Sequence, residues 1–358
     1  MLIFVGILSR IQAEVRTYWQ WIRHNESRVP AGKKLLRVNL DETCVSMAPE
    51  SDTGLILIRS QPDAKAYISK HQSTTNLTYV ATVCDDPALQ KHMPHFIIGS
   101  KANINNSHFA SMQSSSRSNV HVWRNEHKPW NNWNNSFLMQ RMLRHIKDAV
   151  SHKKDVQICL IMDVAPCHIH ESVMRKARSL GIMRVFAPAQ ITFLLQPLDT
   201  HAFASFKRWL RAQFTALQST SPQGVVDNLQ WLQVLQNAKA EFFDTKAWAT
   251  GFSDTGARRP CIRITKALQK YVELEQVRAA PAQEPTEDML TSVWPRRRKM
   301  LYAHKLLFQP HADGGPEQAS PSRATSIKRV LAGPMVSVAL ASRSNKRACR
   351  EFPTRTSA

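Results

Sequence analysis

The sequence predicts an α/β protein: a mixed sheet flanked by helices, followed by a helical C-terminal extension and a basic tail. Three observations predict this. Several strand-like apolar runs precede the first covering helix, so some neighbouring strands must run antiparallel. The run "VQICLIMD" (156–163) is continuously apolar, as suits a strand covered on both faces. Helical periodicity then alternates with strand-like runs to about residue 214. With 358 residues, 43% of them hydrophobic, the chain can bury a sizeable core.

The elements follow in order. "SRIQAEVRTYWQWIRHNES" reads as an amphipathic helix over the first 26 residues. The opening "MLIFVGIL" has no basic residues before it, which argues against a signal peptide. No stretch approaches the roughly 18 apolar residues of a membrane span, so no membrane association is expected. "KKLLRVNLDE" (33–42) is a strand ending on carboxylates. "GLILIRS" (54–60), "LTYVATVCD" (77–85), "HFIIGS" (95–100) and "NVHVWRN" (119–125) are further strands, with a polar loop at 114–118. Over 134–150, Phe137, Met139, Met142, Leu143, Ile146 and Val150 recur at helical spacing. "ESVMRKARSL" with Gly181 after it is a helix with its C-cap glycine, and "MRVFAP" (183–188) a short strand. "QPLDTHAFASFKRWLRAQF" (196–214) reads as one helix with Pro197 in its first turn. A second helical region over about 225–275 breaks near "TGFSDTGARRP". The expected organisation is an N-terminal helix (1–32), the α/β core (33–215), the helical extension (216–280) and a largely disordered tail (281–358).

Lys and Arg number 48 against 27 Asp and Glu, a net charge of +21. Such an excess calls for a polyanionic partner, most simply nucleic acid. Residues 291–358 hold thirteen Lys/Arg and three Asp/Glu, so the tail carries nearly half of the excess. Within it, "WPRRRKM" supplies Arg296, Arg297, Arg298 and Lys299, and "SNKRACR" a second cluster. Either suits a phosphate-binding arm or a nuclear-import signal, so a nuclear location is expected. The six cysteines form no CxxC pair, which fits a reducing compartment.

Three aspartates stand out. Asp41 and Asp163 end strand-like runs, and functional groups gather at the carboxyl ends of strands in open α/β sheets. Asp199 shares a helix face with Phe203, Phe206 and Leu210, which would press that face onto the sheet. Converging carboxylates repel one another unless cations lie between them, and hard oxygen donors suit Mg²⁺ or Mn²⁺. Two such ions would serve phosphodiester displacement. Taken singly, Asp41 reads more readily as a strand-end cap and Asp199 as an ordinary helix N-cap; Asp163, closing an unbroken apolar run, resists that reading. Lys207, Arg208 and Arg211 lie beside Asp199 and suit phosphates or a solvated helix face. Trp123, Trp130 and Trp133 fit core packing better than base stacking. Cys167 and His168 are adjacent, a poor arrangement for a cysteine nucleophile, and His92 with His95 is too thin for zinc.

Together, "LRVNLDET", "LIMDVAPCHIH" and "ITFLLQPLDTHAFASFKRWLR" resemble the DDE superfamily endonuclease domain, the transposase core of pogo- and jerky-type elements that also occurs in centromere protein B. The family pattern is a strand ending in Asp-Glu, then "lDNaxxH", then "tsllQPlDxxxxxxfK". "GFSDTGARRP" resembles the "aFxxtGixP" segment that follows, so the likeness spans about 33–260. It implies an RNase H-like fold, DNA as the partner, and Asp41, Asp163 and Asp199 as ligands of a two-metal site, with His168 in support. It implies a chemistry in which DNA is cut and the freed 3′-hydroxyl attacks a target strand. A homodimer is compatible with it. Val164 stands where the family has Asn, and Thr200–His201 where it has Gln-Gly or Val-Gly. Family members carry helix-turn-helix domains before the core, so residues 1–32 read as the remnant of such a region. A second reading is a domesticated derivative that binds DNA without cutting it. A generic nuclease for RNA–DNA hybrids is disfavoured by the "LLQPLD…FK" block.

Overall fold

The computed structural model describes residues 2–47, 76–114, 119–125, 133–221, 224–286 and 289. The strand expected at 54–60, most of the 114–118 loop, Trp130, and the basic tail with Arg296, Arg297, Arg298 and Lys299 lie outside the described residues.

Six strands form one mixed sheet: β1 (Lys34–Ser46), β2 (Asn76–Cys84), β3 (His95–Ser100), β4 (Val120–Asn125), β5 (Val156–Asp163) and β6 (Met183–Ala187), ordered β4-β3-β2-β1-β5-β6. β2 runs antiparallel to both β1 and β3, while β1, β5 and β6 are mutually parallel and β4 is parallel to β3. An antiparallel ladder on one side of β1 and a parallel one on the other is the RNase H-like arrangement. β3 is buried throughout, as are β2 past its first residue and β5 between its ends, so both faces are covered. The helices are α1 (Leu2–Ser27), α2 (Pro87–Gln90), α3 (Asn106–Ser114), α4 (Ser136–Ala149), α5 (Glu171–Ser179), α6 (Thr192–Leu195), α7 (Phe203–Thr220), α8 (Asn228–Ala238), α9 (Ala249–Asp254) and α10 (Leu274–Arg278). No described helix is long and apolar enough to cross a membrane.

Sequence periodicity anticipated most of these elements, and the differences have physical causes. β1 does not stop at residue 42. It pairs with β5 only as far as Asn39↔Ile161 but keeps its antiparallel ladder with β2 out to Ser46↔Asn76. The helix expected from 196 is instead α6, a wide turn and α7. Pro197 cannot donate into a helical ladder, and within the turn Phe203 N–H donates to the Leu198 carbonyl five residues back. In α4 every expected core residue is buried except Phe137, which is 65% exposed.

The N-terminal helix is enclosed rather than laid on a surface. Its apolar Val15, Tyr18, Trp19, Trp21 and Ile22 are buried, and so are Glu14, Thr17, Gln20, Arg23 and Asn25. Buried polar groups need partners. Trp19 Nε1 donates to the Thr255 carbonyl at 3.0 Å and Arg23 to the Gly256 carbonyl at 2.9 Å. Trp21 lies against Phe186 of β6, ring centroids 5.8 Å apart. Glu26 pairs with Arg37 of β1, which also holds Asp85 at 2.9 Å.

Candidate active site

The register of the sheet sets up the site. Asn39 faces Ile161 across the parallel ladder, so Asp41 and Asp163, each two residues further on, hold equivalent places on neighbouring strands. Side chains alternate along a strand. Asp41 therefore shares the face of its partner Ala81 and of Tyr79, two residues away. Tyr79 packs on Phe206 of α7 at 5.1 Å between centroids. α7 is thus laid over the face that carries Asp41, with Asp199 in the turn before it.

That turn is held from below by Asn39, fully buried among the apolar residues of β1. Its Oδ1 accepts from Leu198 N–H at 2.9 Å, and its Nδ2 donates to Gln196 Oε1 at 2.7 Å and to the Ile161 carbonyl at 3.1 Å. One amide joins β1, β5 and the Asp199 turn. From the other side Tyr18 donates its hydroxyl to the Leu195 carbonyl at 3.2 Å.

The structure brings Asp41, Asp163 and Asp199 together. Asp41 is 8% exposed. Burial, then the charges of Asp199 and Asp163, lift its carboxyl well above the usual range, and the N–H of Glu42, donating to its Oδ1 at 2.8 Å, offsets only part of that. Asp199 is raised as well: burial and the charge of Asp163 outweigh hydrogen bonds from Thr192 and Asp41 and the positive field of Lys207. Both carboxyls are thus pushed toward the protonated form, and a hydrogen bond from Asp41 lowers Asp199 in part. Asp163 behaves oppositely. Burial pushes it up, but His168, donating from Nδ1 at 2.5 Å, and the N–H of Ala165, at 3.1 Å, bring it below the ordinary value.

His168 is 1% exposed. Burial alone would lower its pKa; Asp163, Cys167 and Glu42 more than compensate and raise it well above the ordinary imidazole value. Its Nε2 lies 3.3 Å from Glu42 Oε1, which also accepts from Asn134 Nδ2 at 2.6 Å. Glu42 pairs with Val80 and so points to the sheet face opposite Asp41. Val164 packs partly buried against the core, and Asp163 takes its support from His168 and Ala165.

The other expected residues fall as follows. Lys207 and Arg208 are exposed on α7 and Arg211 is half-buried. Cys167 does not face away from its neighbour: its Sγ, a ring nitrogen of His168 and a Glu42 oxygen all lie within 4.8 Å of one another. His95 is a core residue bonded to the Tyr79 hydroxyl and the Thr82 carbonyl, both at 3.0 Å, while His92 lies against His152 instead. Trp123 is buried and Trp133 is 67% exposed. A cleft of about 870 Å³ beside β4, lined by Phe109, Trp123 and Arg141 among others, includes none of the three aspartates. Sequence reasoning missed Asn39, Glu42 and Thr192. Asn39 left a signal as a lone amide inside an apolar run and Glu42 as the second acid of the Asp-Glu pair, while Thr192 left none.

Residues 76–253 match the model of the DDE superfamily endonuclease family. This chain carries a DDE superfamily endonuclease domain. The match spans the sheet from β2 onward together with Asp163 and Asp199, and Asp41 joins them from the preceding strand. Among solved structures, the Mos1 strand transfer complex aligns with a TM-score of 0.40 at 12% identity, covering 78% of this chain and 63% of that one. A Mos1 paired-end complex with the left transposon end aligns at 0.34 and 14% identity, covering 67% and 62%, and a Mos1 mariner paired-end complex with Mn at 0.33 and 14%, with the same coverage. The chain thus spans less than two thirds of the length of these structures. No curated protein matches the sequence.

Proposed function

We propose that the chain is a DNA endonuclease and strand-transferase core in which Asp41, Asp163 and Asp199 hold two divalent ions, Mg²⁺ or Mn²⁺, and that it acts on DNA in the nucleus. The observation that carries this reading is the convergence of the three carboxylates where the parallel ladder of β1 and β5 ends, with Asp41 and Asp199 both raised by burial and by neighbouring carboxylate charge. The donor set is all oxygen, and the mutual repulsion that lifts Asp41 is what cations would relieve, so the residues fit the ions the family reading requires. When bound, such ions supply Lewis acidity at the attacking and leaving oxygens of a phosphodiester.

The chain's own residues do the rest. His168 fixes Asp163 in its ionised form and aims it. Asn39 fixes the turn bearing Asp199 relative to β1. Lys207 lends positive charge on the open side of α7, where a phosphate backbone would approach, with Arg208 next to it. A second reading, in which the chain holds DNA without cutting it, is favoured by Val164, which removes an amide next to Asp163.

The test combines thermal melting and plasmid nicking. Mn²⁺ is expected to raise the melting temperature of the wild type; a ligand at about a hundred times its dissociation constant adds roughly 2.7 kcal/mol. Asp41→Asn should lose most of that gain and all metal-dependent nicking. An equal metal response in wild type and mutant would overturn the site. Metal binding without nicking would favour the second reading.

A further inference from the structure

We propose that Glu42, Cys167 and His168 form a second metal site, suited to zinc and separate from the three aspartates. The three donors are a carboxylate, a thiol and an imidazole, and their ligand atoms already lie within 4.8 Å of one another. Sulfur and nitrogen donors favour zinc over magnesium or manganese. The chemistry proposed for the aspartates has no use for a thiolate.

The separation is built into β1. Asp41 and Glu42 are neighbours in an extended strand, so they leave on opposite faces, one toward α7 and the other toward the chain entering α4 and α5. His168 Nδ1 donates to Asp163, which leaves Nε2, beside Glu42, as the ligating atom. A carboxylate on the distal nitrogen is the usual partner of a zinc-bound histidine, because it fixes ring and tautomer. Asn134 fixes Glu42 in the same way.

The geometry is close to that of a bound ion. Nε2 and Glu42 Oε1 stand 3.3 Å apart, about the edge of a tetrahedron with metal–ligand bonds of about 2.0–2.1 Å. Only the sulfur has to draw in, by at most about 1.3 Å given its bond of about 2.3 Å. It sits on the half-exposed loop before α5, and Glu42 keeps 20% of its side chain exposed, so an ion has a way in. Three protein donors leave a fourth position for water. Zinc would take the place of the Nε2 proton and of the thiol proton, releasing both, and would leave the Nδ1–H bond to Asp163 intact.

The experiment uses the full chain, stripped with chelator and kept reduced, titrated with Co²⁺ as a spectroscopic stand-in. A thiolate-to-cobalt charge-transfer band is expected, bleached when Zn²⁺ is added. Cys167→Ser should abolish it, while Asp41→Asn and Cys44→Ser should keep it. Glu42→Gln should shift the titration to higher Co²⁺. Unchanged near-ultraviolet circular dichroism checks that each variant is folded. No band in the wild type, or a band that survives Cys167→Ser, would overturn the site. Because the Asp41→Asn arm is independent, a failed aspartate site and a failed zinc site give different results.

Discussion

At the scale of single residues, Asp41 makes stability depend on pH in an uncommon direction. A carboxyl whose folded value is raised favours the protonated form, so its contribution is complete below the unfolded value and is lost as pH rises through the folded one. Asp199 and the imidazolium of His168, both raised, add loss in the same direction, while lowered Asp163 acts only at more acidic pH. The metal-free protein should therefore melt at progressively lower temperature as pH rises above the ordinary carboxylate range. Asp41→Asn should flatten that decline and raise the melting temperature at the upper end. Parallel curves for wild type and mutant in chelator would refute the proposed crowding. Asn39 offers a second check. Asn39→Leu leaves Leu198 N–H and the Gln196 amide buried without a partner, a cost of about 1–3 kcal/mol for each buried group. It should also weaken the Mn²⁺ response, because Asp199 loses its tether. A variant destabilised but with a full metal response would reduce Asn39 to a purely structural role.

At the scale of elements, what the sequence could reveal depended on how local the cause was. β5 was readable because an apolar run closed by a charge has few other uses. α7 was readable from Phe203, Phe206 and Leu210, all buried as their spacing required. Asp163 closes β5 as expected, whereas Asp41, expected at a strand end, lies inside β1, two residues past its last pairing with β5. The wide turn at 198–202 was not readable, since it is maintained by Asn39, more than 150 positions earlier. Nor was the link from Asp163 through His168 to Glu42, which joins the end of β5, the loop before α5 and the middle of β1's ladder with β2. The exit of β1 beyond the site was missed because residues 43–46 alternate weakly and are fixed only by β2. α1 looked amphipathic yet is enclosed, because the segment around 255–280 closes over it. That closure gives a prediction at this scale. Gly256 has φ of +77°, and a Cβ there would come within 2.5 Å of Trp19 Nε1 and 2.6 Å of Val277 Cγ1. Gly256→Ala should destabilise the fold by about 2–3 kcal/mol through strain and overpacking, seen as a lower denaturant midpoint. A change within experimental error would mean that α1 does not dock as described.

At the scale of the whole molecule, charge and chemistry are divided. The described core holds the aspartates, and Lys207 is a cation whose field reaches Asp199. The tail from 291 carries thirteen Lys/Arg against three acids. If DNA is the partner, affinity should come largely from the tail while position comes from the core. Each phosphate contact contributes about 0.9 to the slope of log affinity against log salt on duplex DNA. Deleting 291–358 should therefore flatten that slope by at least about 2 units, even if only two or three of the thirteen cations meet phosphates. Residual binding by the core should stay salt-dependent, since the first 290 residues remain basic. Metal-dependent nicking at low salt should survive the deletion, because none of its machinery lies in the tail. The measurement is a fluorescence-anisotropy titration across a salt series, with nicking assayed on the same preparations. An unchanged slope would transfer the DNA contacts to the core. A lost slope with lost nicking on a still-folded core would mean that binding and cutting are not divided as argued.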